Sequence, residues 1–190
     1  MFDSRVCVVD VETSGLNPNY DLIFEIGMVE LNLSTGVTKI LFDSVVKESL
    51  FGKEYRGSWI FENSSLTFDD INTAPLFDDL IPELQEIFNN YSITAFNKSF
   101  DLGFLTSRGI QVPNELPCIM LTATNILKIP FPSGRKRFKW PNCEEAWNYF
   151  FPNSPYVEKH RALDDALHEA MIFFEIFRRG LIPIIEEIIN

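Results

Sequence analysis

Residues 5–11 form an almost unbroken apolar run that ends in Asp10, Val11 and Glu12. A run without polar alternation suits a central strand buried on both faces. Thr13-Ser14-Gly15 breaks it. Residues 22–33 predict a second long strand, and the turn Ser34-Thr35-Gly36 leads into a third over 38–46, the pattern of an antiparallel hairpin. Residues 47–65 are polar and irregular. Leu76, Phe77, Leu80, Ile81, Leu84, Ile87 and Phe88 recur at helical spacing, and Pro82 within them predicts a kink or a late helix start. A short strand over 91–96 precedes a helix over 99–108 that Gly109 stops. Residues 118–127 are apolar and are read as helix, and 144–150 as a short helix. Over 162–179, Leu163, Ala166, Ala170, Phe173, Phe174 and Phe177 mark the apolar side of an amphipathic helix ended by Gly180. Three strands, a helix, a strand and then mostly helix predict an α/β sandwich with a mixed sheet.

Composition narrows the class. The 190 residues, 46% of them hydrophobic, suffice for one domain with a sizeable core. No signal-type run follows Met1 and no apolar run is long enough to span a bilayer, so a cytoplasmic protein without a membrane partner is expected. Cys7, Cys118 and Cys143 stand far apart and read as buried thiols in a reducing compartment. With His160 and His168 the only histidines, a zinc site built on several histidines is excluded, and any metal must be held mainly by carboxylates. The net charge of −11 argues against an extended basic groove; contact with a nucleic acid would be local and metal-assisted.

Three groups of residues carry candidate chemistry. Asp10 and Glu12 lie two apart on a strand, so both carboxylates project from one face. Crowded like charges at the edge of a core favour a bound cation. On this pair alone, an exposed acidic strand tip fits as well. Asp101, in Phe96-Asn97-Lys98-Ser99-Phe100-Asp101, falls in the first turn of a helix, where an acid also suits the helix dipole. The third group is His160-Arg161-Ala162-Leu163-Asp164-Asp165. Positions five apart on one helix point about 140° away from each other. His160 and Asp165 therefore meet only if His160 lies on the loop before the helix, where a histidine beside a carboxylate suits a general base.

Together these groups resemble the DEDDh branch of the DnaQ-like exonucleases. That family's Asp-x-Glu-Thr with a Gly-containing turn corresponds to Asp10, Glu12, Thr13 and Gly15. Its Asn-x-x-Phe-Asp corresponds to Asn97, Phe100 and Asp101, and its His-x-Ala-x-x-Asp to His160, Ala162 and Asp165. Phe96 stands where members often carry His. The motif register selects Asp165 over Asp164, which is expected to face solvent. The resemblance implies a ribonuclease H-like α/β fold with a mixed five-stranded sheet flanked by helices, and a single exonuclease domain over 1–190. It implies a two-metal 3′–5′ exonuclease that releases nucleoside 5′-monophosphates from single-stranded DNA or RNA. Asp10, Glu12, Asp101 and Asp165 would hold two Mg²⁺ ions, with Mn²⁺ as a substitute, and His160 would act as general base. Thr13, Ser14, Gly15, Leu16, Asn97 and Phe100 would meet the terminal nucleotide, Leu16 as an apolar wedge. The alternatives are an oligoribonuclease-like enzyme limited to short RNA and a catalytically silent binding module.

Weaker signals complete the reading. Gly134-Arg135-Lys136-Arg137-Phe138-Lys139-Trp140 is the one concentrated basic run, interleaved with aromatics as in single-strand binding surfaces; a loop charged for solubility reads equally well. Trp59, Ile60, Phe61 and Leu66 fall where the region borders the cleft in similar proteins, and ordinary core is the reading preferred for them. Glu25 has the strand parity for a support role and is given none. The apolar tail over 181–189 would cap the domain or meet a second subunit, and a separate enzyme is favoured over a polymerase-bound subunit, with a homodimer or a polymerase as the partners to consider.

Overall fold

The structure is a computed structural model that describes residues 5–134 and 137–182. Its sheet has the order β3-β2-β1-β4, formed by β1 (Arg5–Thr13), β2 (Ile23–Asn32), β3 (Thr38–Val45) and β4 (Ser92–Thr94). β1 pairs antiparallel with β2 and parallel with β4, and β2 pairs antiparallel with β3, so the sheet is mixed and β1 is central, as its apolar run predicts. The helices are α1 (Trp59–Asn63), α2 (Phe68–Thr73), α3 (Phe77–Asn90), α4 (Lys98–Ser107), α5 (Ile119–Leu127), α6 (Cys143–Phe150) and α7 (Ala162–Arg178).

Four strands replace the expected five among the described residues. The place of the fifth is taken by a single parallel bridge between Ile93 and Glu115. Ile93 donates to the Asn114 carbonyl and accepts from the Leu116 amide. Pro113 and Pro117 bracket this stretch, and proline, lacking an amide hydrogen, cannot extend a ladder. The segment read as irregular over 47–65 contains a 3₁₀ turn (Lys53–Gly57) and α1. The helix α3 runs through Pro82 rather than starting after it. The tail over 181–189 lies almost wholly outside the described residues.

Alternation along β1 divides the core. Val6 and Val8 face α5, α6 and α7, while Cys7, Val9 and Val11 face α3 and α4. Asp10 and Glu12 share the parity of Val6 and Val8, which aims both toward α7. Along β2 the same face carries Glu25, Gly27, Val29 and Leu31, and the register sets Gly27 opposite Asp10 and Glu25 opposite Glu12. A Cβ at Gly27 would run into the backbone of Ala162 and Leu163, so this glycine lets the start of α7 settle against the sheet beside Asp10. The buried stripe of α7 is Ala162, Asp165, Ala166, Glu169, Ala170, Ile172, Phe173 and Ile176, with Glu175 also buried. It is rotated from the expected face: Leu163, Phe174 and Phe177 are only partly buried, and two acids lie within the seam.

Candidate active site

Three elements deliver the acids. β1 carries Asp10 and Glu12 to the end of the central strand. Asp101 sits in the first turn of α4, buried, and its Oδ1 accepts from the Val11 amide at 3.3 Å, which ties α4 to β1 between the two β1 acids. Asp165 sits in the first turn of α7, also buried, with Oδ1 accepting a short hydrogen bond from the Tyr156 hydroxyl. His160 lies on the loop just before α7, as the motif spacing requires, and its backbone is left-handed with φ 51°. Such a conformation in a residue with a Cβ is strained and persists only where neighbours impose it. Ligand atoms of Glu12, His160 and Asp165 all lie within 4.8 Å of one another.

The electrostatics record the crowding. Burial, then the charges of Glu169, Asp101, Glu12 and Asp165, hold the Asp10 carboxyl well above its ordinary range. Burial, with Asp165 and Glu25 adding to it, pushes Glu12 up to about 9. Burial raises Asp101 to about 8 against the opposing Val11 hydrogen bond. Asp165 is raised by burial, with the Tyr156 hydrogen bond and His160 acting in the other direction. Five expected residues thus converge on one place.

Several participants were not expected. Glu169 follows Asp165 by one helical turn, is buried, and accepts from the Phe96 amide at 3.2 Å; an acid four positions on along a helix is legible from periodicity. Phe96, at the position of the missing His, therefore contributes through its backbone. Glu158 approaches His160 Nδ1 at 4.0 Å, and burial with Asp165 and Glu144 raises its carboxyl to about 7. Trp59 is 57% exposed and meets the His160 ring edge-on at 4.9 Å. That corrects its reading as core: α1 is one turn long and can bury only one side, which Ile60 takes, while Leu66 is buried just beyond the helix. Glu25, given no role from sequence, is buried and accepts from the Arg161 guanidinium and from the Ala162 amide at 3.0 Å. Asp164 is half-buried rather than solvent-facing, because Lys159 and His168 draw it in.

A cleft of about 460 Å³ opens beside the acids, lined by Val11, Glu12, Thr13, Ser14, Gly15, Leu16, Trp59, Ile60 and Phe100. Leu16 is 84% exposed at its rim. The turn that presents it is braced by Thr13 Oγ1 donating to the Gly15 carbonyl and by Ser14 Oγ accepting from the Leu22 amide. Asn97 does not line this cleft. Its side chain accepts from Ser99 Oγ and its carbonyl receives the Phe100 amide, which sets the start of α4.

The site is thus a cluster of acids and one histidine at the end of the central strand of a mixed α/β sheet. The family profile RNase_T, described as Exonuclease, matches residues 7–173, and the chain belongs to this exonuclease family. It is 27% identical over 178 residues to a DNA polymerase III PolC-type of Clostridium perfringens, covering 94% of this chain. It is 27% identical over 175 residues to the 3′-5′ exonuclease DinG of Staphylococcus saprophyticus, covering 90%. The chain spans 12% and 18% of the length of these two relatives. Among solved structures, a full-length 3′-exonuclease superposes with a TM-score of 0.71 at 16% identity, covering 96% of this chain and 63% of that one. The nuclease domain of 3′hExo, a DEDDh family member bound to rAMP, gives 0.66 at 17% identity, covering 95% and 94%. Exonuclease I of E. coli, in complex with a dA16 oligonucleotide, gives 0.67 at 13% identity, covering 97% and 43%. Among the described residues no helix is long and apolar enough to cross a membrane.

Proposed function

We propose that this chain removes nucleotides singly from the 3′ end of single-stranded DNA or RNA, releasing nucleoside 5′-monophosphates. The observation that carries the proposal is the meeting of Glu12, His160 and Asp165 within 4.8 Å beside a cleft built from the turn over 13–16. The donor set suits hard divalent cations: it is mostly carboxylate oxygen, and its members are held toward their protonated forms by burial and mutual repulsion that a cation would relieve. Asp10, Glu12, Asp101 and Asp165 would hold two Mg²⁺ ions, with Mn²⁺ substituting. When bound, such ions supply Lewis-acid stabilisation of the charge that builds on the scissile phosphate and on the departing 3′ oxygen.

The chain's own residues supply the rest. His160 accepts the proton of the attacking water, held by Trp59 on one side and by Glu158 near Nδ1. Leu16, Trp59 and Phe100 offer apolar surface to the terminal base. Thr13, Ser14 and Gly15 shape the turn that meets its sugar. Asn97 acts through the start of α4, where it sets Asp101. The likeness to a PolC-type polymerase supports a setting beside a polymerase as the partner reading.

The test uses single-stranded DNA and its RNA counterpart, labelled at the 5′ end, with Mg²⁺ or with EDTA. A ladder of shortened products that requires the metal supports the proposal, and the faster strand sets the sugar preference. Intact strands with both Mg²⁺ and Mn²⁺ refute it.

A further inference from the structure

Phe131 and residues 137–140, which the cleft does not use, form a surface of their own. The loop between α5 and α6 folds back on itself: Lys139 donates its amide to the Ile129 carbonyl at 3.0 Å, and Pro130 bridges Phe138 in antiparallel fashion. Gly134, at φ 67°, makes the turn, which a residue with a Cβ would adopt only under strain. Phe131, Arg137, Phe138, Lys139 and Trp140 line a hollow of about 390 Å³ on this hairpin. The Arg137 guanidinium stands 5.3 Å from the centre of the Phe131 ring. Phe138 is 43% and Trp140 64% exposed.

Trp140 also lines an adjoining hollow of about 330 Å³, whose floor is the outer face of α4 at Lys98, Ser99, Leu102, Gly103 and Thr106. A Cβ placed on Gly103 would meet nothing within 4 Å, so this floor is open. The same helix sends Phe100 into the catalytic cleft and Asp101 into the acids. The two hollows thus share Trp140, and α4 carries both the floor of the second and, through Phe100, part of the catalytic cleft.

We infer that the hairpin and the outer face of α4 bind the strand on the 5′ side of the nucleotide held in the catalytic cleft, as a track for a single-stranded polyanion. The inference rests on the exonuclease reading above. Charge complementarity selects the occupant. In a chain of net charge −11, the hollow on the hairpin carries Arg137 and Lys139 among its five described lining residues and no acid, and Lys98 stands on the floor of the adjoining one, so attraction for phosphates is local to this surface. Lys139 is shared with Glu145 at 2.6 Å and Lys98 with Glu115 at 2.8 Å, which leaves much of the binding to Arg137 and to the exposed ring faces. Base-on-aromatic stacking tolerates any sequence, and an enzyme that shortens a strand stepwise needs a grip of that kind.

The experiment compares the full chain with its Trp140→Ala, Trp140→Phe and Arg137→Ala variants, using a long deoxythymidine homopolymer and a deoxythymidine dinucleotide. The dinucleotide reaches only the catalytic cleft. We expect Trp140→Ala to raise KM for the long strand by at least about fivefold, the loss of one stacked base, with kcat and dinucleotide hydrolysis unchanged and Trp140→Phe restoring most of the loss. Arg137→Ala should also make long-strand binding less sensitive to salt. An unchanged KM for the long strand, or equal losses on both substrates, overturns the inference. Binding of the labelled homopolymer, followed by fluorescence anisotropy in EDTA, separates the two claims. If the wild type cuts neither substrate, the exonuclease reading fails. In that case, binding that Trp140→Ala weakens still supports the track, whereas no binding by the wild type refutes it and leaves the surface to a protein partner.

Discussion

Arg161 clamps Glu25 through Nε and a terminal nitrogen at 2.6–3.1 Å, joining the residue after His160 to the strand that pairs with β1. The Ala162 amide adds a third donor to the same carboxylate. The clamp fixes where α7 begins, and hence where His160 and Asp165 stand relative to Asp10 and Glu12. Arg161→Ala leaves Glu25 buried and without its cation, and is predicted to cost about 2–3 kcal/mol. That figure lies at or below the lower end of the range for a broken buried pair because the arginine is partly exposed. Urea unfolding measures it. The double variant Glu25→Gln/Arg161→Ala should recover part of the loss, since no unpaired charge remains inside.

Trp59 holds the His160 ring edge-on while standing largely in solvent. Removing it should leave the fold intact and let the imidazole wander. Trp59→Leu is expected to lower kcat about tenfold, within the penalty for small misplacement of a catalytic group, and to raise KM because the same ring lines the cleft. Trp59→Phe should restore most of kcat. A kcat equal to that of the wild type in Trp59→Leu would show that the ring does not position His160.

Glu169 adds a further buried carboxyl to the acids without belonging to the motifs, and burial with the charges of Asp101 and Asp165 holds it well above its ordinary range. Glu169→Gln keeps an oxygen to accept from the Phe96 amide and removes repulsion felt by Asp10. The variant should melt at a higher temperature than the wild type in EDTA and should need more Mg²⁺ for half-maximal rate. Thermal melts and a Mg²⁺ titration check both directions.

The raised carboxyls also set a pH dependence. Glu12 and Asp101, at about 9 and about 8 in the folded chain, lose their protons in the ordinary carboxylate range when unfolded. Between those limits the folded state binds more protons than the unfolded one, so the stability of the metal-free protein falls as pH rises from about 4 to about 9. Melting in EDTA should show that decline. Mg²⁺ should stabilise more at pH 8 than at pH 5, because cation and protons compete for the same oxygens.

The central strand was legible because burial on both faces leaves an apolar run, and the period-2 parity of Asp10 and Glu12 correctly aims both at α7. Motif spacing likewise located Asp101, His160 on its loop and Asp165. Other features depend on contacts that have no local period. Tyr156 lies on an irregular loop, and only the fold brings its hydroxyl to Asp165; Glu158 is two residues from His160, but no local period turns its side chain toward the ring. Among the described residues the fifth strand is reduced to one bridge, where Pro113 and Pro117 deny it a ladder. Trp59 was misread because a one-turn helix cannot bury both of its sides. Asn97, expected in the cleft, is engaged at the start of α4 instead. Glu169 was within reach of periodicity once Asp165 was chosen.

The central claim is that the acids and His160 form one hydrolytic centre acting at a 3′ end. Asp165→Asn tests it most directly, because it preserves shape and removes one charge from the centre. Release of mononucleotides from a single strand labelled at its 3′-terminal nucleotide would be measured with saturating Mg²⁺, beside a thermal melt of each protein. The account predicts rapid release by the wild type and a loss of at least about a hundredfold in a variant that still melts as a folded protein. Release by Asp165→Asn at the wild-type rate would contradict it.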